Sequence, residues 1–426
     1  MRKLICLLLC LLLCGCGREE PVPTEPTEPT EPPVPPTQPV VEVPLETETT
    51  TRLYEGITLS YDTLLDEDDP EAAVLRQAAG DFYQTTGAMI QINYATDAAW
   101  EGIAGGDIFE ISGGAFQGKL LTGALDLTEL AEVADYDSKS WEVLRNQIIS
   151  RYGILKGIAI RPYLYGMYYN RGSIDALGVD AMPNTWQEYL EFCQMLKDSG
   201  YEGLVIDQER ANLVLELHME RALGWETLKE TMVYAQWRTN EMAMTMIREA
   251  IAFAEKGYLV KGNPAAYPQG QNRLAQSNAL FVAGSNLLCS EVERSTMSEI
   301  QWGVCPYPGD GPGTGLLVDA DVVAIRAECA YPEVAFEFIL MLTTGEYDQL
   351  RADVALGIPT DPANTSPITG VSNCMASAAA YAPKWFTQEN NELFTRLWNG
   401  YYKTGSYFAD QLNKLSRNFE SEKSVG

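Results

Sequence analysis

Ten of the chain's 23 prolines fall between Pro21 and Pro44, where the triplet Pro-Thr-Glu recurs at Pro23, Pro26 and Pro29. Each proline lacks a backbone donor and fixes φ, so this stretch cannot propagate a helix or enter a sheet interior. It also carries too little apolar area to build a core. The expected form is an extended stalk, kept stretched by its own carboxylates. Whatever folds must therefore begin near Arg52. The remainder is long enough for two or three domains, or for one large two-lobed body. With 46% hydrophobic and 10% aromatic residues overall, it can bury a substantial core.

The residues ahead of the stalk are of another kind. Met1-Arg2-Lys3 precedes a short run of Leu, Ile and Cys, too short to span a bilayer as a stable helix and patterned like a secretory signal. The run ends in Leu13-Cys14-Gly15-Cys16, which resembles the bacterial lipobox and marks Cys16 as the residue that receives acyl chains such as palmitate. The expected organisation is a signal peptide over 1–15 and a lipidated stalk over 16–51. Removal of the signal takes the formal net charge from −29 to −31. So negative a chain argues against nucleic acid as a partner, and membrane contact is expected through the lipid alone. The single histidine, His218, removes most His-based metal sites and His-dependent triads, and reads as a surface or core residue. Cys193, Cys289, Cys305, Cys329 and Cys374 are widely spaced and odd in number, which is neither a disulfide framework nor a zinc signature.

From Ile57 the pattern becomes that of an α/β protein. Ile57–Tyr61 alternates like a strand and ends at Asp62; Asp69-Pro70 caps a helix that stops at Gly87. Met89–Tyr94 and Asp107–Ile111 read as two further strands, the latter closing on Ser112-Gly113-Gly114. This order describes a parallel layer whose ligands sit at the carboxyl ends of the strands, so Asp62 and Ser112 flank a candidate cleft. Ile154–Ile160 reads as a strand, and Thr185 with Glu188 as the capping box of a helix ending at Gly200. Trp186 and Trp225 lie in helical stripes and are expected in the core. No G-x-x-x-x-G-K-(S/T), G-x-S-x-G or, in the mature body, Cys-x-x-Cys is present. The glycine-rich run Gly309–Gly315 reads as a flexible surface loop.

Several segments, taken in order, carry a resemblance. Pro162 followed by Tyr168-Tyr169-Asn170, then Pro183-Asn184-Thr185-Trp186, is similar to a crossing strand and helix of the bacterial extracellular solute-binding proteins of sugar ABC transporters, the maltose-binding-protein-like family. Phe109–Gly113, Ala279–Asn286, Trp302-Gly303-Val304 with Pro306 and Pro308, Pro332–Ile339 and Gly357–Thr360 resemble further family segments in the same order. Asn286 departs from the pattern, standing where many members carry a stacking Trp.

The resemblance implies a two-lobed, periplasmic-binding-protein-like (type II) α/β fold with a hinge and an interlobe ligand cleft. The first lobe would take 53–161 and 318–347, the second 162–317 and 348–420, with 421–426 as a tail. It implies a non-enzymatic monomer without cofactor or metal. Lipid-anchored on the extracellular side of the cell membrane, it would pass a neutral sugar or oligosaccharide to an ABC permease. Tyr163 and Tyr165 after the crossing, Asp62 and Ser112 at strand ends, and Asp207, Glu209 and Arg210 after Leu204-Val205-Ile206 become ligand contacts. So do Ser285, Asn286, Asp319, Asp321 and the late-loop Trp385. Other readings stay open. The same fold holding a polyamine, peptide or other cationic solute suits the negative charge. A ligand sensor for a membrane kinase needs the same binding. A glycoside hydrolase needs only two suitably spaced carboxylates, although no hydrolase-like motif encloses any.

Overall fold

The structure is a computed structural model that describes residues 52–95, 105–112, 123–206, 211–261, 279–296, 299–380 and 391–423. The signal, the stalk and Cys16 lie outside the described residues. Backbone contacts divide the chain into Met1–Thr50 and Thr51–Gly426, and every described element belongs to the second unit.

In chain order the first elements are β1 (Thr58–Asp62), α1 (Pro70–Thr86), β2 (Met89–Asn93) and β3 (Ile108–Ile111). Helices α2 (Thr128–Val133) and α3 (Glu142–Tyr152) lead into β4 (Ile158–Asn170), followed by α4 (Arg171–Ala176), α5 (Trp186–Asp198) and β5 (Glu202–Ile206). Next come α6 (Ala211–Leu223), α7 (Trp225–Val233), α8 (Glu241–Glu255), β6 (Leu259–Lys261), β7 (Ala279–Gly284), α9 (Leu287–Thr296) and β8 (Trp302–Cys305). The chain returns through β9 (Leu317–Ile325) to α10 (Pro332–Thr343) and α11 (Gly345–Ala355). Its last elements are α12 (Val371–Ser377), β10 (Ala379–Ala380), α13 (Asn391–Trp398) and α14 (Gly405–Lys423).

Helix ends follow their local chemistry. Asp69 accepts a hydrogen bond from the Glu71 amide, Pro70 occupies the first turn of α1, and Gly87 ends it at φ 86°. Thr185 and Glu188 form the reciprocal capping box that starts α5. The strands run in the order β2-β1-β3-β9-β4-β7-β5-β6, with β10 on β9 and β8 on β4. Parallel pairing joins β1 to β2 and to β3, as the sequence suggests, and again β5 to β6 and to β7. Between these groups β9 runs antiparallel to both β3 and β4.

Strand β4 is longer than the sequence pattern suggests. It has 13 residues and continues through Pro162, against the expectation of a strand ending at Ile160. A register shift between Ala159 and Arg161 precedes the proline. From Ile158 to Tyr165 the strand pairs with β9, and from Gly166 onward with β7 and β8. One strand therefore belongs to two halves of the sheet.

Three apolar clusters follow this division. In the first, Phe338 on α10 meets the Tyr61 ring edge-on at 5.8 Å and the Phe82 ring at 5.3 Å. The second packs Trp186, Tyr189, Phe253 and Tyr307 together with His218, which is 2% exposed. Trp225 is partly buried against it. The third gathers Leu164, Tyr168, Trp302, Val318 and Ile358 where β4 exchanges partners. The five cysteines of the body are free thiols, four of them buried.

The Gly309–Gly315 run corrects the expectation of a flexible loop. Arg221, near the end of α6, donates from Nε to the Gly309 carbonyl at 3.0 Å and from Nη1 to the Gly313 carbonyl at 2.5 Å. Buried Glu220 accepts from the amides of Thr314 at 3.0 Å and Gly315 at 2.6 Å. The glycines are there for close approach: a Cβ on Gly313 would lie 1.8 Å from the Glu220 carbonyl oxygen. Gly313→Ala should therefore cost about 1–3 kcal/mol in chemical denaturation. Gly80→Ala in α1, where a Cβ meets nothing within 4 Å, should be neutral or gain up to about 1 kcal/mol.

Candidate functional site

The antiparallel register of β4 and β9 sets Arg161 opposite Asp321 and Tyr163 opposite Asp319. Arg161 donates from Nε to Asp321 Oδ2 at 2.8 Å and grips Glu110 on β3 with its other two nitrogens, at 2.6 and 3.2 Å. Both carboxylates are nearly inaccessible, Glu110 at 1% and Asp321 at 4% exposure. Tyr61 Oη at 2.7 Å, Thr63 Oγ1 at 2.8 Å and the Leu64 amide at 2.9 Å complete the donors to Glu110. On the far side the Tyr163 hydroxyl donates to Asp321 Oδ2 at 2.5 Å. Burial by itself would raise the Glu110 pKa, but the Arg161 guanidinium and the surrounding donors outweigh it and hold the carboxyl below its usual range. Burial would likewise disfavour the Arg161 cation, and Glu110, Asp321 and Glu71 overcome that to push its pKa well up.

A second ion pair lies beside the first. Arg351 on α11 pairs with Glu71 on α1 at 3.2 Å, and donates to the carbonyls of Leu342, at 3.0 Å, and Ile160. One guanidinium thus ties α1, α10, α11 and β4 together. Burial raises the Glu71 pKa more than Arg351 and Arg161 lower it.

Two adjoining cavities open beside these pairs. The smaller, of about 30 Å³, is lined by Glu71, Arg161, Tyr163, Asn286 and Arg351 among others. The larger, of about 230 Å³, is lined by Asp69, Glu71, Leu287, Glu293, Arg294 and Leu356 among others. Glu71, Leu287 and Ala355 border both. The space lies between the start of α1, after the carboxyl end of β1, and the start of α9, after the carboxyl end of β7. Open α/β sheets bind ligands at that end. Among the described residues no group of three or more His, Cys, Asp or Glu is placed to hold a metal ion.

The residues expected at the site take different positions. Tyr163 and Asn286 line the same cavity, with Asp321 bonded to Tyr163. The Asn286 Oδ1 accepts from the Leu164 amide at 3.2 Å, fastening the start of α9 to β4. Ser285 is buried beside it. Tyr165 is partly exposed, two residues beyond Tyr163 on β4, and packs against the second apolar cluster. Asp319 is buried and accepts from Gln147 Nε2 at 2.6 Å. Asp62 is buried at the end of β1, accepting from Asn93 Nδ2 at 2.7 Å and the Gly106 amide at 2.8 Å. Ser112 is partly exposed just past β3. Asp207, Glu209, Arg210 and Trp385, with Gly113 and Gly114, lie outside the described residues. The reading of the sequence missed Glu71, Glu110, Arg161 and Arg351. A lone Glu within Ile108–Ile111 and a lone Arg directly after Ile158-Ala159-Ile160 were the available signals.

The family model described as "Bacterial extracellular solute-binding protein" matches residues 66–349. No curated protein matches the sequence. Among solved structures, the apo form of RafE from Streptococcus pneumoniae is similar, with 16% identity, coverage of 85% of this chain and 98% of that one, and a TM-score of 0.68. The sugar-binding protein MalE from Xanthomonas citri shares 14% identity, covers 86% and 98%, and gives a TM-score of 0.67. A sugar transporter protein from Bacillus licheniformis in complex with stachyose shares 16%, covers 85% and 100%, and gives 0.59. These likenesses establish a common two-lobed α/β fold.

Arg161→Met would leave two buried carboxylates without their cation and should destabilise the protein by about 3–5 kcal/mol. The pH dependence should change with it. In the parent, the depressed Glu110 pKa adds stability that is complete above the unfolded value of 4.5 and is lost as pH falls below it. In the variant, burial drives Glu110 above that value, so acidification through this range should stabilise it relative to the parent. Urea unfolding of both proteins between acid and neutral pH checks this.

Proposed function

The chain belongs to the bacterial extracellular solute-binding protein family, and from that premise we propose that it captures a neutral sugar or oligosaccharide between its lobes and delivers it to an ABC importer. Residues 53–161 with 318–347 form one lobe in this reading, and 162–317 with 348–420 the other. A lipid on Cys16 and the Pro-Thr-Glu stalk hold the protein, as a monomer, at the outer face of the cell membrane. Among the described residues no helix is long and apolar enough to cross a membrane.

The observation that carries this reading is the convergence at the crossing. Tyr163 on β4 and Asn286 at the start of α9 line one cavity, with Asp321 of β9 bonded to Tyr163. Sugar hydroxyls both donate and accept, so carboxylate, amide and phenol groups suit them, and their C–H faces pack on aromatic rings. Asp62, Ser112, Tyr165, Asp207, Glu209, Arg210, Ser285, Asp319 and Trp385 are proposed as further ligand contacts. The raffinose complex of RafE and the stachyose complex of the Bacillus licheniformis protein support a saccharide. A ligand that touches both lobes makes all its contacts only when they close, so it shifts the open–closed equilibrium by its differential affinity. No covalent chemistry is required.

One observation favours a cation as the second reading. Around the larger cavity Asp69, Glu71 and Glu293 outnumber Arg294. A thermal-shift series on residues 51–426 separates the two. Mono- and oligosaccharides should raise Tm, by an amount that grows with concentration and barely responds to salt. Tyr163→Ala should reduce the shift without unfolding the protein. Shifts from polyamines or peptides alone, fading with salt, would overturn the sugar assignment.

A further inference from the structure

Another cavity lies away from the cleft. It occupies about 360 Å³ between α6, α8 and the Gly309–Gly311 turn, within the range of small-ligand sites. Ala222, Met242 and Met246 form its apolar walls, and Glu241, Glu249 and Asp310 its acidic side. None of its lining residues borders either cavity of the cleft.

The charge here is unbalanced. Arg221 also lines the cavity, but its guanidinium is directed at the carbonyls of Gly309 and Gly313, and buried Glu220 lies beside it in sequence and space. Arg248, exposed on α8, attracts Glu249 and donates to Thr245 Oγ1. Three carboxylates therefore face one remaining cation. Among the described residues no hydrogen-bond donor reaches the carboxylates of Glu241, Glu249 or Asp310; the His218 Nε2 stands 3.8 Å from Glu249. Glu249 is half-buried, and burial followed by repulsion from Asp310 raises its pKa. Glu241 and Asp310 are exposed to solvent, but the half-buried Glu249 carboxylate, without a donor, is costly unless something supplies one.

His218 adds an independent observation. It borders the cavity while being 2% exposed. Nε2 lies 3.2 Å from the Met246 carbonyl, which can only accept, so Nε2 carries the proton and Nδ1 is an acceptor. Among the described residues no donor reaches that buried Nδ1. Burial lowers the ring's pKa to about 4, so it adds no positive charge near neutrality.

We propose that this cavity is a second binding site, separate from the interlobe cleft, for a primary aliphatic amine. The ammonium group would supply donors and charge to Glu249 and Asp310, with Glu241 at the rim. The methylene chain would lie along Met242, Met246 and Ala222. A neutral polyol of the same length leaves the charge unbalanced and should be refused.

The chain's only histidine makes the site directly observable. In the full-length protein carrying isotope-labelled histidine, cadaverine should shift the His218 ring resonance saturably, and pentanediol should not. Salt should weaken the effect. The double variant Glu249→Gln, Asp310→Asn should weaken binding roughly tenfold or more and leave sugar-induced thermal shifts intact. Glu71→Gln, in the cleft, should leave the cadaverine response unchanged. The absence of a saturable shift, or an equal response to pentanediol, would overturn the site. Loss of the response in Glu71→Gln alone would place the amine in the cleft and overturn it as well. Should the double variant not fold, the comparison of cadaverine with pentanediol in the parent and in Glu71→Gln still decides.

Discussion

Arg161 holds Glu110 and Asp321 where three strands meet, and the geometry of the cleft floor depends on it. β3 contributes one carboxylate, β9 the other, and β4 the cation between them. Each ion would be costly in isolation at this depth; together, with Tyr61, Thr63, Leu64 and Tyr163 supplying further donors, they satisfy one another. A hydrophobic replacement of the whole group could fill the same volume, but it would not fix the direction of the Tyr163 hydroxyl. The charged arrangement sets the orientation of cleft groups, and that is a matter of specificity more than of stability.

The same strand that carries Arg161 also sets the mechanics. β4 pairs with β9 up to Tyr165 and with β7 and β8 from Gly166, so the two halves of the sheet share a backbone. Arg351 clamps one side of this crossing through the Ile160 carbonyl, and Asn286 clamps the other through the Leu164 amide. Between those two clamps lie three residues, Arg161 to Tyr163. A rotation of one half against the other must be absorbed close to the residues that line the smaller cavity. In the proposed reading, hinge and binding site are therefore not separable parts.

What could be read in the sequence was what local chemistry determines. Asp69-Pro70 and Gly87 bound α1, and Thr185 with Glu188 starts α5, because caps act within a few residues. The strand-helix-strand order at Tyr61 to Ile111 gave the α/β class for the same reason. The ion pairs were invisible because their partners are far apart: Arg161 lies 51 positions from Glu110 and 160 from Asp321, and Arg351 lies 280 from Glu71. Ile154–Ile160 reads as a strand and the segment from Pro162 resembles a crossing strand; the structure joins them in one strand, β4, which passes through the proline beside a register shift. The glycines of Gly309–Gly315 suggested mobility. Their cause is the opposite, a backbone pressed against the end of α6 and pinned by Glu220 and Arg221.

That pinned segment bears on how the two proposed sites relate. It connects β8 to β9, so its Gly309–Gly311 end borders the amine cavity while its other end enters the strand that carries Asp319 and Asp321. Covalent continuity alone couples nothing. An amine in the cavity changes sugar affinity only if it binds the open and closed forms unequally, and the sugar must then change amine affinity by the same factor. The anchoring by Glu220 and Arg221 works against such a difference, because it fixes the turn to α6 within a single half of the sheet. As long as those bonds hold, the cavity walls move as one body and lobe closure leaves their spacing unchanged. The two sites are then expected to fill independently, with charge selecting the ligand in one and hydroxyl geometry in the other.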